Sequence, residues 1–143
     1  REDSARPMIL MGGGTGFAPL KGMLEHAFHV GDSRPVHLFW GVRARRDLYL
    51  GDLASQWEKE HPNFRFTPVL SDALPEDNWR GASGLVHEAV LRTYPDLSGH
   101  DVYMSGPPAM IQAAMHAFLQ HGMREDRAYS DAFEFNTRPS NAA

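Results

Sequence analysis

Met8-Ile9-Leu10-Met11-Gly12-Gly13-Gly14-Thr15-Gly16-Phe17-Ala18-Pro19 is the stretch that decides the fold. Four apolar residues without alternation are expected of a strand buried on both faces of a parallel sheet. The glycines then let the backbone turn and approach a ligand closely. Just beyond them, Leu20, Met23, Leu24, Ala27 and Phe28 recur at helical spacing. Strand, glycine turn and helix in that order make the first βα unit of an open α/β sheet. A helix N-terminus behind such a turn offers free amides and a favourable dipole to a phosphate. The run is not the six-residue dinucleotide fingerprint, because Phe17 stands where its last glycine belongs. Nor is it a Walker A loop, since no Gly-Lys-Ser/Thr follows. On spacing alone a mere tight turn is the alternative.

Working outward, the pattern repeats. Gly31 and Asp32 stop the first helix, and Val36–Val42 reads as a second strand. Leu50, Leu53, Ala54 and Trp57 make an amphipathic helix closed by His61-Pro62, and Phe64–Leu70 is a third strand. Ser71–Ser83 is polar, carries Pro75 and is expected to be a loop. A helix from Gly84 to Tyr94, a strand at Val102–Met104 and a helix begun by Pro107 and capped by Gly122 follow. Arg127–Ser130 is the fifth strand. Alternation of this kind predicts βαβ units, hence an α/β fold with an open, five-stranded parallel sheet and helices on both faces. Residues 1–6 read as a linker, 7–135 as the domain and 136–143 as a loose tail. Because the chain opens on Arg1 rather than methionine, it is expected to be a piece of something longer, with a processed start as the alternative.

With 143 residues the chain suits one domain, and its 42% hydrophobic and 22% charged residues match an ordinary globular core. A net charge of −4 argues against a nucleic-acid surface. No apolar run approaches the ~20 residues that span a bilayer. Lacking a charged-then-apolar leader, the chain is expected in the cytoplasm. Without cysteine it can hold no disulfide, zinc ribbon or iron–sulfur ligand set of its own.

Ligands of an open α/β sheet bind beyond the carboxyl ends of the strands, where the strand order reverses. Two clusters follow strands directly: the glycine run, and Ser105-Gly106-Pro107-Pro108. Alone, the second reads as an ordinary strand-to-helix turn; the two together point to one shared cleft. Gly12 to Pro19, Gly41-Val42-Arg43, Ser105-Gly-Pro-Pro with Met110, and Asp131-Ala132-Phe133 occur in one order and spacing. That combination closely resembles the nucleotide domain of the ferredoxin–NADP⁺ reductase superfamily, over roughly residues 7 to 135. It is most similar to bacterial oxygenase reductases and the CDP-6-deoxy-glucoseen reductase type.

The resemblance implies the roles. Gly12, Gly13, Gly14, Thr15 and Gly16 would hold a pyrophosphate and pack beside the nicotinamide. Gly41, Val42, Arg43, Ser71 and Asp72 would border the adenosine half. Ser105, Gly106 and Pro107 would lie beside nicotinamide C4, and Phe133 would cover a flavin ring. Pro19, Met110 and Asp131 complete the motifs as further cofactor contacts. Many members of the superfamily carry cysteine where this chain has Ser105, which removes a thiol from hydride transfer. The implied cofactors are NADH or NADPH here, FAD on a missing upstream flavin domain, and a [2Fe–2S] cluster elsewhere in the full-length protein. The implied electron acceptor is ferredoxin-like or an oxygenase. Asp72 favours NADH, since an acid suits a free 2′-hydroxyl, whereas Arg43, Arg45 and Arg46 would suit NADPH.

Other features carry less. His26 and His29 lack an evident third metal ligand and read as surface residues. His87-Glu88 starts like a zincin helix without its second histidine, and Gly81-Ala82-Ser83-Gly84 misses the nucleophile elbow by one residue. Trp40 and Trp57 read as core, Trp79 as a loop residue on the adenosine side. Two functions stay open: half of a flavoprotein reductase, or a nucleotide-binding regulatory module without redox work. Phe133 favours the first, because a sensor has no flavin to cover.

Overall fold

The computed structural model describes residues 6–13, 17–31, 33–42, 51–71 and 81–132. Strands β1 (Met8–Gly13), β2 (Val36–Val42), β3 (Phe64–Leu70), β4 (Ala82–Ser83), β5 (Asp101–Gly106) and β6 (Ala128–Ala132) form one sheet. Its order is β4-β3-β2-β1-β5-β6 and every pairing is parallel. The helices are α1 (Phe17–Val30), α2 (Gly51–Glu60), α3 (Val86–Thr93) and α4 (Pro108–Gln120).

The sheet has six strands where the sequence predicted five. The additional one, β4, lies within the stretch expected to be a loop. Two residues flanked by glycines carry no periodicity, so only the pairing reveals them. Ala82 aligns with Val69 and Ser83 with Leu70. Gly84 N–H donates to the Leu70 carbonyl at 3.0 Å, and Arg92 ties down the Ser83 carbonyl at 2.9 Å. At the other edge, β6 starts one residue later than expected, because Glu125–Arg127 closes a 3₁₀ turn.

The apolar run of β1 is explained by a core on each face. Ile9 and Met11 join Phe39, Val69, Val102 and Met104 under α3 and α4, whose Val90, Ile111, Ala114 and Phe118 fill that side. Met8 and Leu10 join Leu38, Trp40 and Phe64 under α1 and α2, through Leu20, Leu24, Ala54 and Trp57. Trp40 and Trp57 are thus core, while His26 and His29 are exposed. Phe28 locks α1 to α2, stacking on His61 at 3.7 Å and meeting Trp57 and Phe64 edge-on. Each fully buried side chain of this size contributes about 1.5–3 kcal/mol. Leu10→Ala, at the sheet centre, costs about 2–5 kcal/mol. Gly122 ends α4 with φ of 90°, a left-handed turn that glycine takes without a Cβ penalty.

His37 interrupts the apolar β2 without exposing it. Its Nδ1 lies 2.8 Å from Tyr94 Oη and its Nε2 2.7 Å from Thr67 Oγ1, and the ring stacks on Phe39 at 4.1 Å. Burial pushes the imidazole down to about 4, and Arg65 adds to the effect.

Candidate functional site

The order β4-β3-β2-β1 runs one way from β1, and β5-β6 runs the other. The strand order therefore reverses between β1 and β5, which places a ligand crevice beyond their carboxyl ends. Register brings the residues singled out in the sequence into one row along that edge. Gly12 is aligned with Ser105 and with Trp40, and Gly13 with Gly41. Ser71 N–H donates to the Val42 carbonyl at 2.9 Å, extending the row over β3. On the other flank Ser105 is aligned with Asp131, and Gly106 with Ala132.

Two of these glycines have a packing reason as well as any ligand reason. A Cβ on Gly13 would lie 2.5 Å from Met110 Sδ, and one on Gly106 2.5 Å from Met110 Cε. The thioether of α4's third residue thus occupies the fork between the ends of β1 and β5. Gly106 has φ of 154°, in a region closed to other residues without strain. Gly41 is kept small by Val86, the first residue of α3, whose Cβ would stand 2.6 Å from an added methyl.

Ser105 is fully buried, and its Oγ has no hydrogen-bond partner among the described residues. Such a hydroxyl costs about 1–3 kcal/mol, so its place in the crevice calls for a reason beyond folding. Pro107 is the N-cap of α4 and Pro108 its first helical residue, one position later than expected. Neither α1 nor α4 carries an acid in its first turn, so both present a positive helix end to the edge. Pro19 lies in α1. Gly14, Thr15, Gly16, Arg43, Asp72 and Phe133, with Arg45, Arg46 and Trp79, lie outside the described residues. Asp131 is the one ionisable member of the row among the described residues. This row can bind and orient a ligand.

The other polar features sit at the opposite, amino-end pole, and sequence reasoning missed them. A cavity of about 230 Å³ is lined there by Met8, His37, Arg65, Tyr94 and His100. Nearby, the buried Asp101 is ion-paired with Arg6 and Arg34. A signal was available: Arg6, Arg34 and Asp101 each stand at or just before an apolar strand.

Fold and edge together define a nucleotide-binding α/β domain with its ligand crevice at the β1–β5 reversal. The chain belongs to the oxidoreductase NAD-binding domain family, whose model matches residues 10–116. It is 45% identical over 133 residues to the CDP-6-deoxy-L-threo-D-glycero-4-hexulose-3-dehydrase reductase of Yersinia pestis, covering 93% of this chain and 39% of that protein. It is 44% identical over 133 residues to the aromatic O-demethylase reductase subunit of an Amycolatopsis species, covering 92% of this chain and 39% of the relative. Among solved structures, the Amycolatopsis cytochrome P450 reductase GcoB superposes with a TM-score of 0.83 at 39% identity, over 92% of this chain and 39% of that one. The chain thus spans about two-fifths of the length of the relatives it matches. No helix among the described residues is long and apolar enough to cross a membrane.

Proposed function

We propose that this chain is the NADH-binding half of an electron-transfer flavoprotein reductase, joined to an upstream domain that holds FAD. The carrying observation is the alignment of Gly12 with Ser105 at the strand reversal, with a buried hydroxyl that has no partner among the described residues. The residues present fit a pyridine nucleotide: glycine backbone and positive helix ends for a diphosphate, and a hydroxyl to meet the carboxamide-bearing ring. When bound, NADH supplies a hydride that the flavin accepts. The chain's own part is placement. Gly12 to Gly16 cradle the diphosphate on the first turn of α1. Ser105 and Gly106 set the nicotinamide ring, and Met110 holds the two strand ends at fixed spacing. Gly41 to Arg43 with Ser71 and Asp72 border the adenosine, Asp72 disfavouring a 2′-phosphate. Phe133 covers the flavin until nicotinamide displaces it. Electrons leave singly toward an iron–sulfur centre, ferredoxin-like protein or oxygenase, in keeping with the reductase names of the relatives.

The test uses this chain alone and with the domain that precedes it. Alone, it is expected to bind NADH and no FAD. In the longer protein kcat/KM is expected to favour NADH, with Asp72→Arg moving the ratio toward NADPH. Repulsion of a 2′-phosphate by a carboxylate near a surface is worth on the order of 1–4 kcal/mol. A wild-type protein that uses NADPH equally well overturns the Asp72 assignment. Nucleotide binding without flavin in the longer protein selects the regulatory module instead.

A further inference from the structure

At the amino-end pole one carboxylate gathers three arginines. The Asp101 side chain is about 1% exposed, and its Oδ1 accepts from Arg6 Nε at 3.1 Å. Its Oδ2 accepts from Arg34 Nη1 at 3.2 Å, and Arg127 Nη1 stands 3.9 Å from Oδ1. The same arginines also bind backbone. Arg6 Nη2 donates to the Ser98 carbonyl at 2.7 Å, and Arg34 Nη1 donates to the Arg6 carbonyl at 3.3 Å. Main-chain bonds flank them: Met8 N–H to the Pro35 carbonyl at 2.9 Å, and Asp101 N–H to the Pro7 carbonyl at 3.0 Å. Residues 6 to 8 are therefore gripped from the β2 side and the β5 side, by backbone and by side chain.

A buried ion cluster is a poor source of stability, because desolvation offsets most of the attraction. What it provides is direction: charge-assisted bonds fix both the side chain and the carbonyl of residue 6. The cluster cannot touch a ligand at the carboxyl edge, which lies a strand length away, about 20 Å for six residues. Its effect is on how the chain approaches β1. We propose that Asp101, acting through Arg6 and Arg34, is a positioning residue that makes this approach a rigid joint. The flavin domain ahead of the chain is then held at a set angle to the carboxyl edge. The joint's purpose rests on the function proposed above; its rigidity does not.

Arg6→Ala is the informative variant, since it keeps the Arg34–Asp101 pair that the fold itself contains. In the protein that includes the preceding domain, it is expected to leave NADH affinity within twofold and slow flavin reduction about tenfold. Arg6→Lys should recover part of the rate, keeping the charge on Asp101 while losing the bond to Ser98. Two readouts need no flavin. Exchange of the Met8 and Asp101 amides should quicken at least tenfold in Arg6→Ala while β3 is unchanged. Distances between spin labels on the two domains should broaden. Unaltered exchange and an unaltered distance distribution overturn the joint. Quickened exchange with flavin reduced at the wild-type rate overturns its positioning role. A wild-type protein without flavin sinks the proposed function, and the exchange and distance readouts then decide the joint alone.

Discussion

Gly41→Ala separates packing from ligand contact more sharply than any other change at the carboxyl edge. The new Cβ would lie 2.6 Å from Val86 Cβ, 3.1 Å from Cγ1 and 3.3 Å from Cγ2. Carbon atoms prefer about 3.5–4.0 Å, so the two elements must part by roughly 1 Å. Val86 cannot yield by rotation, being β-branched and at the start of a helix. Nor can α3 move freely, because it also packs on β1 and β3. Overpacking of this kind costs about 1–3 kcal/mol. At roughly 3–5 °C per kcal/mol for a chain of this size, Tm should fall by about 3–15 °C. Val86→Ala would not relieve the clash, since its nearest atom is the Cβ that alanine keeps. Val86→Gly would, at about 3 kcal/mol for lost burial and glycine in a helix. If the two sites were independent, the pair would cost about 5 kcal/mol; relief of the clash should bring it back to about 3 kcal/mol. Thermal unfolding of wild type, both single variants and the double variant gives the coupling, with NADH affinity measured in parallel. A double variant melting at the additive position refutes the packing argument. So does Gly41→Ala melting like wild type while its NADH affinity falls, which would make Gly41 a ligand contact alone.

Ser105→Ala removes a buried hydroxyl that has no partner among the described residues, so stability should stay put or rise by up to about 1–3 kcal/mol. If the serine orients nicotinamide, stopped-flow flavin reduction should slow roughly ten- to a hundredfold with little change in Kd; an unchanged rate reduces Ser105 to a turn residue. His37 predicts an acid limb in stability. Folded, its imidazole takes a proton only near pH 4, against 6.5 unfolded, so the unfolded chain binds more protons between those values. Stability should be complete above about 6.5 and fall as pH drops toward 4. His100, also lowered by burial, adds to the slope. His37→Gln should flatten this limb in denaturant titrations across pH, and an identical limb would exclude His37 as its source.

Most strands were legible from their apolar residues: β1 is buried on both faces and wholly apolar before its glycines, while β3 keeps an exposed Arg65 among apolar neighbours. Val36–Val42 and Phe64–Leu70 end where the apolar pattern does. What stayed hidden is non-local. Ala82 and Ser83 are a strand only because β3 lies beside them. The motif residues could be named, yet nothing in their spacing aligns Gly12 with Ser105 or fills the space beside Gly13 with Met110. Likewise Arg34 and Asp101 are 67 residues apart, and no periodicity joins two lone charges across a fold.

The three glycines on the α3–α4 side of the edge show how packing and binding meet in one residue type. Gly41 faces the first residue of α3, and Gly13 and Gly106 face the third residue of α4. A side chain at Gly41 would push the first turn of α3 away from the sheet, and one at Gly13 or Gly106 would displace the tip of Met110 from between the strand ends. Glycine lets both groups press against the strand ends, which brings free amides and the positive ends of two helix dipoles to the edge. That field falls off within a turn, so the close approach is what makes it useful to a bound diphosphate. Within the same edge, the buried Gly12 is aligned with Ser105 on the neighbouring strand. The row is thus polar through its backbone and helix ends. That explains how an edge with one ionisable residue among its described members can serve an anionic nucleotide.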